Sequence, residues 1–445
     1  MILQQNNIIK QRNLLIQVAD VDNMEQALRT LKSQGAAGVD GVTMKRFKEL
    51  YPYLKEDIAQ RVASGKYRPQ AIRRTYIPKH NNQKELRMLG IPTALDRLVQ
   101  ASIVRVLEPL YVERFSLNSF GFIKGRNCFL ALNRTLDIAN GGKRYVIKLD
   151  LKRFFDNVPH EIILGILNKT LLDKRLINLI HKFLIADAYE KGKGYIKVTK
   201  GVPQGGPLSP LLSNIVLNEL DQYLEKKNIS FVRYADDCII LFNNKSGAEF
   251  FFKNISNFIE KKLNLVINYE KSSIKLITDI EFLGYSFKMG KNDKIVFDIS
   301  DEKLNELKMK IGSIIGLNHI KTDKRLIVKK INEITRGWLA YYAMGEILPK
   351  LQSFDKWFEK LIHKKHKKIC KEIKELNKEY ERSGNNRKYS DPFDDLVMWI
   401  AVGQDSASDK GADYYMNKLY KCGYKTTVQS YKEVRDKWKK GGMIL

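Results

Sequence analysis

The first 65 residues read as helices, with apolar positions at helical spacing over 22–33 and a glycine-rich turn, GAAGVDG, at 35–41. The pattern then changes. RRTYIPKHNNQKELRMLGIP (73–92) sets two short apolar runs around polar HNNQ, which predicts a hairpin. A helical period returns over 94–112, carried by Leu95, Leu98, Val99, Ile103, Val106 and Leu107. YVIKLDL (145–151) predicts a strand, 160–188 a helical stretch, and YIKVT (195–199) another strand. GVPQGGPLSP (201–210) packs three prolines and three glycines into ten residues, which predicts a loop leading into a helix over 209–226. FVRYADDCIILF (231–242) predicts strand–turn–strand, 246–263 an amphipathic helix, and LVINYEKSSIKL and IEFLGYSFKM further strands. Beyond about residue 300 helical periodicity dominates. There KWFEKLIHKKHKKICKEIKELNKEYER (356–382) is densely basic, SGNNRKYSDP (383–392) reads as a linker, and a smaller helical tail follows.

One feature sits badly in this pattern. Asp236 and Asp237 lie side by side between apolar strand formers, where Asp is disfavoured and costly to bury alone. An Asp-Asp pair at a hairpin turn is common, and YADD is a short signal. Asp150, at the end of the apolar run VIKLD, changes the picture. Three carboxylates presented from adjacent strand ends could hold divalent ions, for which oxygen ligands suit Mg²⁺. Two such ions can clamp the attacking and leaving oxygens of a phosphoryl transfer.

Composition points the same way. The 445 residues carry a formal net charge of +28 and 44% hydrophobic content, enough for two or three domains and suited to a polyanionic partner. Cys128, Cys238, Cys370 and Cys422 form no CxxC pair, so neither a disulfide framework nor a zinc ribbon is expected. His363 and His366 lie i,i+3 among lysines with no zinc-site partners, which favours nucleic-acid contact or solvated surface. The N-terminal stretch lacks a signal-peptide pattern, and no apolar run is long enough to span a membrane. A cytoplasmic protein is expected.

In chain order, GAAGVDG (35–41), YRPQAIRRTYIPK (67–79), RMLGIPTALDRLVQ (87–100), SFGFIKGRN (119–127), LDLKRFFDNVPH (149–160), GVPQGGPLSPLLSNIVLNELD (201–221), FVRYADDCIIL (231–241), KLNLVINYEKS (262–272), FLGYSF (282–287) and RGWLAYY (336–342) match one family. The chain resembles the reverse transcriptases, or maturases, encoded by bacterial group II introns, over nearly its whole length. The resemblance implies an α+β right-hand polymerase. An N-terminal extension and the start of the fingers would occupy 1–75. Fingers and palm, with an antiparallel palm sheet, would occupy 76–295. A helical thumb (the maturase X domain) would occupy 296–382, and a small DNA-binding region 383–445.

It implies that Asp150, Asp236 and Asp237 are catalytic and bind two Mg²⁺ ions (or Mn²⁺), with the Leu151 carbonyl as a backbone ligand. Phe155 would be a steric gate against the 2′-hydroxyl, Gln204 would lie near the incoming dNTP, and Lys79 and Arg87 would grip its triphosphate. Lys271 would be a general acid, although a surface lysine is nearly as good a reading. Trp338, Tyr341 and Tyr342 read as core anchors of the thumb. Expected partners are an RNA template, a DNA or RNA primer, dNTPs and structured group II intron RNA, with no membrane; the oligomeric state stays open. The expected activity is RNA-directed DNA synthesis, with intron binding that aids splicing and retromobility. Two alternatives stay open: a related enzyme serving phage defence, CRISPR acquisition or repair, and a non-catalytic RNA-binding maturase. Past residue 385 there is one Cys and no His, so an endonuclease-lacking type is implied. Met88 and Val202 depart from the family's usual Pro and Thr without removing a catalytic group.

Overall fold

The computed structural model describes residues 9, 11–79, 82–316, 324–362, 364, 419–421 and 423–439. The chain divides into two compact units, Met1–Ile277 and Thr278–Leu445.

The first unit begins with helices Leu14–Ala19, Val21–Thr30 and Met44–Ala63, around the predicted glycine-rich turn. Its strands are β1 (Ile72–Lys79), β2 (Asn82–Ile91), β3 (Tyr145–Leu149), β4 (Ala188–Glu190), β5 (Gly194–Ile196), β6 (Ser230–Tyr234), β7 (Asp237–Phe242) and β8 (Ser273–Leu276). They form two sheets, ordered β2-β1-β4-β5 and β6-β7-β3-β8. The predicted hairpin is β1–β2, with a register shift at Pro78/Lys79, where proline has no N–H for the ladder. The second sheet is antiparallel throughout. Its central strands β3 and β7 bury Val146, Ile147, Ile239 and Ile240 completely. Burial on both faces is why these strands read as unbroken apolar runs rather than alternations. Helix Ser209–Lys226 opens with Pro210 in its first turn, where a missing N–H costs nothing.

Three expectations change. The stretch 160–188 is two helices, His160–Thr170 and Lys174–Leu184, followed by β4. Asp173 causes the break: its carboxylate accepts from Arg175 N (3.1 Å) as an N-cap and from Leu15 N (3.0 Å). Of LVINYEKSSIKL only Ser273–Leu276 is a strand. The preceding residues instead wrap Asp150, where Asn268 N donates to its carbonyl (2.9 Å) and Val266 O accepts from Lys152 N (2.8 Å). IEFLGYSFKM is two strands, Glu281–Phe282 and Tyr285–Met289, because Leu283 and Gly284 both take positive φ.

In the second unit those two strands form an antiparallel sheet with Ile295–Asp298. Tyr285 is fully buried, with ring centroids 5.7 Å from Tyr341 and 5.4 Å from Tyr342. A Cβ at Gly284 would lie 3.1 Å from Tyr342 Oη. This packing ties 281–298 to helix Lys324–Tyr342, so the compact division falls at 277/278, ahead of the expected palm–thumb boundary at 295/296. Leu339 is fully buried and the Trp338 ring lies tilted against Tyr342, centroids 4.6 Å apart, the anchoring arrangement expected of RGWLAYY. Helices Asp301–Gly316, 348–362 and Thr427–Lys439 complete the described part of this unit. His363, His366, most of the basic tract 356–382 and the linker 383–392 lie outside the described residues.

Candidate active site

The register of β3 against β7 pairs Leu149 with Cys238. One step further along the same register brings Asp150 opposite Asp237. The β6–β7 hairpin pairs Tyr234 with Asp237, leaving Ala235 and Asp236 as a two-residue turn. Ala235 takes φ 57°, which a two-residue hairpin demands but a residue with a Cβ resists.

A buried network holds that turn. Arg233 is completely buried. Its guanidinium donates to both carboxylate oxygens of Asp221 (2.8 and 2.5 Å), to Asn214 Oδ1 (2.9 Å) and to the Ala235 carbonyl (2.9 Å). Asn214 Nδ2 donates to Gly121 O (2.8 Å). Gly121 in turn presses on the turn so closely that a Cβ would overlap the Ala235 backbone. Arg233, Asp221 and Asn214 are site-supporting residues beyond those expected from sequence. The available signals were an arginine in the middle of an apolar strand, and Asn214 and Asp221 seven apart on one helix face.

The carboxylates crowd each other. Burial pushes the Asp236 pKa up, and Asp150 adds to the rise, while Arg87 and Arg233 oppose it. Asp237 keeps a solvent-facing edge, yet the protein packed around it, with the charges of Asp236 and Asp150, pushes its pKa up to about 6 against the pull of Lys148. A raised carboxylate pKa favours folding below the ordinary range and is lost as pH rises through the folded value. Asp237→Asn is therefore expected to raise the melting temperature of metal-free protein by about 1–3 °C at pH 7.5. The gain should fade toward pH 4. Equal melting temperatures at pH 7.5, read by thermal unfolding in chelator, would remove the repulsion from the account.

Asp150 is more tightly held. Its Oδ2 accepts from Asn268 Nδ2 (2.8 Å), and its N–H donates to Ser272 Oγ (3.1 Å). Among the described residues no three Asp, Glu, His or Cys side chains form a ready-made metal cage. The all-oxygen donor set and its crowded negative charge nonetheless fit Mg²⁺, which is commonly bound by one or two carboxylates plus substrate phosphates. Leu151 is buried and bridges Ile267.

Phe155 and Gln204 come together, with Gly90, Met88 and Arg74, around a cavity of ≈ 70 Å³. The loop reaches that place through glycines. Gly201 at φ 86° has no room for a Cβ against the Asp156 carbonyl, and Val202 N donates to Phe155 O (2.7 Å). Gly205 at φ 123° leaves no room for a Cβ against Gly90 O, and Gly90 N donates to Gln204 O (2.8 Å). Phe155 also sits edge-on to buried Phe154, ring centroids 5.4 Å apart. Arg87 is exposed opposite Ile77 on the β1–β2 hairpin, and Lys79 ends β1. Lys271 is exposed just beyond Asn268, to whose carbonyl its N–H donates (3.2 Å); the lysine whose charge acts on Asp237 is Lys148.

Two family models match the chain. Residues 77–287 match reverse transcriptase (RNA-dependent DNA polymerase), and residues 304–381 match the group II intron maturase-specific domain. Protein YkfC of Escherichia coli (strain K12) is 32% identical over 302 residues, 59% of this chain and 78% of that protein. The group II intron-encoded protein LtrA of Lactococcus lactis subsp. cremoris is 29% identical over 424 residues, 74% of this chain and 69% of its own length. A putative COX1/OXI3 intron 2 protein of Saccharomyces cerevisiae is 26% identical over 72% of this chain and 43% of that protein. With both the polymerase and the maturase segments matched in order, the chain belongs to the group II intron-type reverse transcriptases and is an RNA-directed DNA polymerase.

Proposed function

We propose that the enzyme copies RNA into DNA at Asp150, Asp236 and Asp237, and that it binds group II intron RNA to aid both splicing and retromobility. The observation that carries the catalytic assignment is the β3–β7 register, which sets Asp150 beside the Asp236–Asp237 turn. Asp150, Asp236, Asp237 and the Leu151 carbonyl would hold Mg²⁺, which when bound lowers the cost of charge on the attacking 3′-hydroxyl and the departing pyrophosphate. The chain's other residues position the nucleotide. Arg87, whose charge already reaches Asp236, meets the triphosphate from the β1–β2 hairpin together with Lys79. Gln204 and Phe155 border the sugar and base from the cavity they share. Lys271 is exposed and available as a proton donor to pyrophosphate.

Primer extension with Mg²⁺ and dNTPs on matched RNA and DNA templates tests the reading. Extension on RNA is expected. Tight RNA binding without extension on either template would instead support a binding-only maturase. A second comparison, affinity for a folded group II intron against an unrelated RNA of equal length at fixed salt, tests the intron partner. Equal affinities would leave only general polyanion binding, which the +28 charge alone supplies.

Phe155 gives a sharper prediction. It packs against Phe154 on one side and opens to the cavity on the other. Phe155→Ala should raise the ratio of NTP to dNTP incorporation by roughly tenfold or more, since the clash with a 2′-hydroxyl is removed. Single-nucleotide incorporation kinetics with each sugar measure this. An unchanged ratio would return Phe155 to a packing role.

A further inference from the structure

Phe122 lies in SFGFIKGRN with a φ of 56°, a region that a bulky aromatic residue rarely enters, and its side chain is 57% exposed. Neither burial nor the proposed catalytic machinery accounts for a strained, solvent-facing ring. Its position is tightly fixed. Ser119 bridges Arg233, Phe120 N donates to Arg233 O (2.8 Å), and Gly121 is wedged against Ala235. The ring is therefore built directly onto the turn that carries Asp236. It borders a cleft of ≈ 470 Å³ with Val104, Lys124, Pro207, Pro210 and Tyr234. Tyr234 immediately precedes the turn, and the two prolines follow the Gln204 loop. Glu108, Lys124 and Arg126 are the cleft's charged lining residues, and Arg126 is committed to the Ser119 carbonyl (2.6 Å). The cleft's ring and proline faces suit a base or sugar, with exposed Lys124 alongside for the attached backbone.

We propose that Phe122 is a stacking platform for a nucleobase of the template–primer where it adjoins the Asp236 turn. The proposal rests on the reading of that turn as catalytic. Strain of this kind accumulates where a ligand contact requires it. Here it places an aromatic ring on a cleft whose wall includes Tyr234, the residue before the Asp236 turn.

The test uses the full chain with an RNA template and DNA primer carrying a single 2-aminopurine next to the primer terminus, in the template strand in one arm and in the primer strand in the other. Phe122→Gly removes the ring and suits positive φ, so melting should not fall. It is expected to weaken template–primer binding by about tenfold and to brighten 2-aminopurine in one arm, which identifies the stacked strand. Phe122→Trp should restore both. Phe122→Asn, which also tolerates this backbone, provides a second ring-free variant if the glycine variant does not fold. Wild-type affinity and unchanged emission in both arms, for a folded ring-free variant, would overturn the proposal. If Asp236→Ala still extends primers, the catalytic reading of the turn fails instead, while loss of binding on removing Phe122 would be scored independently.

Discussion

Asp236→Ala is expected to reduce primer extension by at least about a thousandfold while RNA and template–primer binding stay within about threefold of wild type. The first half follows from position. Asp236 is the half-buried second residue of a two-residue turn whose conformation is enforced from beneath, by Arg233 on the Ala235 carbonyl and by Gly121 against the Ala235 backbone. The second half follows from what its carboxylate does not do. Its own backbone N–H is its hydrogen-bond donor, and its other interactions are through charge, with Asp150, Arg87 and Arg233. Truncation therefore costs no hydrogen bond to another residue and removes a repulsion. Extension assays and fluorescence anisotropy on the same preparation separate the two halves. A parallel loss of binding and synthesis would make Asp236 structural.

Those carboxylates were legible in the sequence because their cost is local. Two Asp inside an apolar strand pair, and a third ending another, violate strand chemistry over a few residues. The β1–β2 hairpin and the 209–226 helix were legible for the converse reason: turn residues, apolar period and length agree within each segment. What escaped depends on distant partners. The break at Asp173 involves Leu15, 158 positions away. The irregular path of 265–272 is set by Asp150, since Asn268 must reach both the carbonyl and the carboxylate of that residue. Strand β4 pairs in parallel with β1 across more than a hundred residues, and its three residues carry too little pattern to announce it. Phe155 and Gln204 were marked by family motif. Their shared cavity comes from two glycine-dependent close approaches, which spacing along the chain does not encode.

Arg233 tests the support beneath the site, and its replacement should be the most destabilising of the changes considered. Arg233→Met leaves Asp221 completely buried without its guanidinium partner, a loss of about 3–5 kcal/mol, read as a fall in melting temperature of roughly 10 °C. Burial already raises the Asp221 pKa, and Arg233 is the main force opposing that rise. Without it the folded-state pKa climbs further, so the deficit should grow as pH rises above the ordinary carboxylate range and shrink as pH falls toward 4. Arg233→Met with Asp221→Leu removes both charges, and much of the stability should return, because an apolar pair of similar volume avoids the desolvation of two ions. Activity should not return with it. The double variant still lacks the donor to the Ala235 carbonyl and the partner of Asn214 Oδ1, so the strained turn beneath Asp236 loses its restraint. A double variant with recovered melting and depressed extension would assign Arg233 the task of holding Asp236 in place. Recovery of both together would mean that the network only stabilises the fold, and that β-sheet register alone positions the carboxylates.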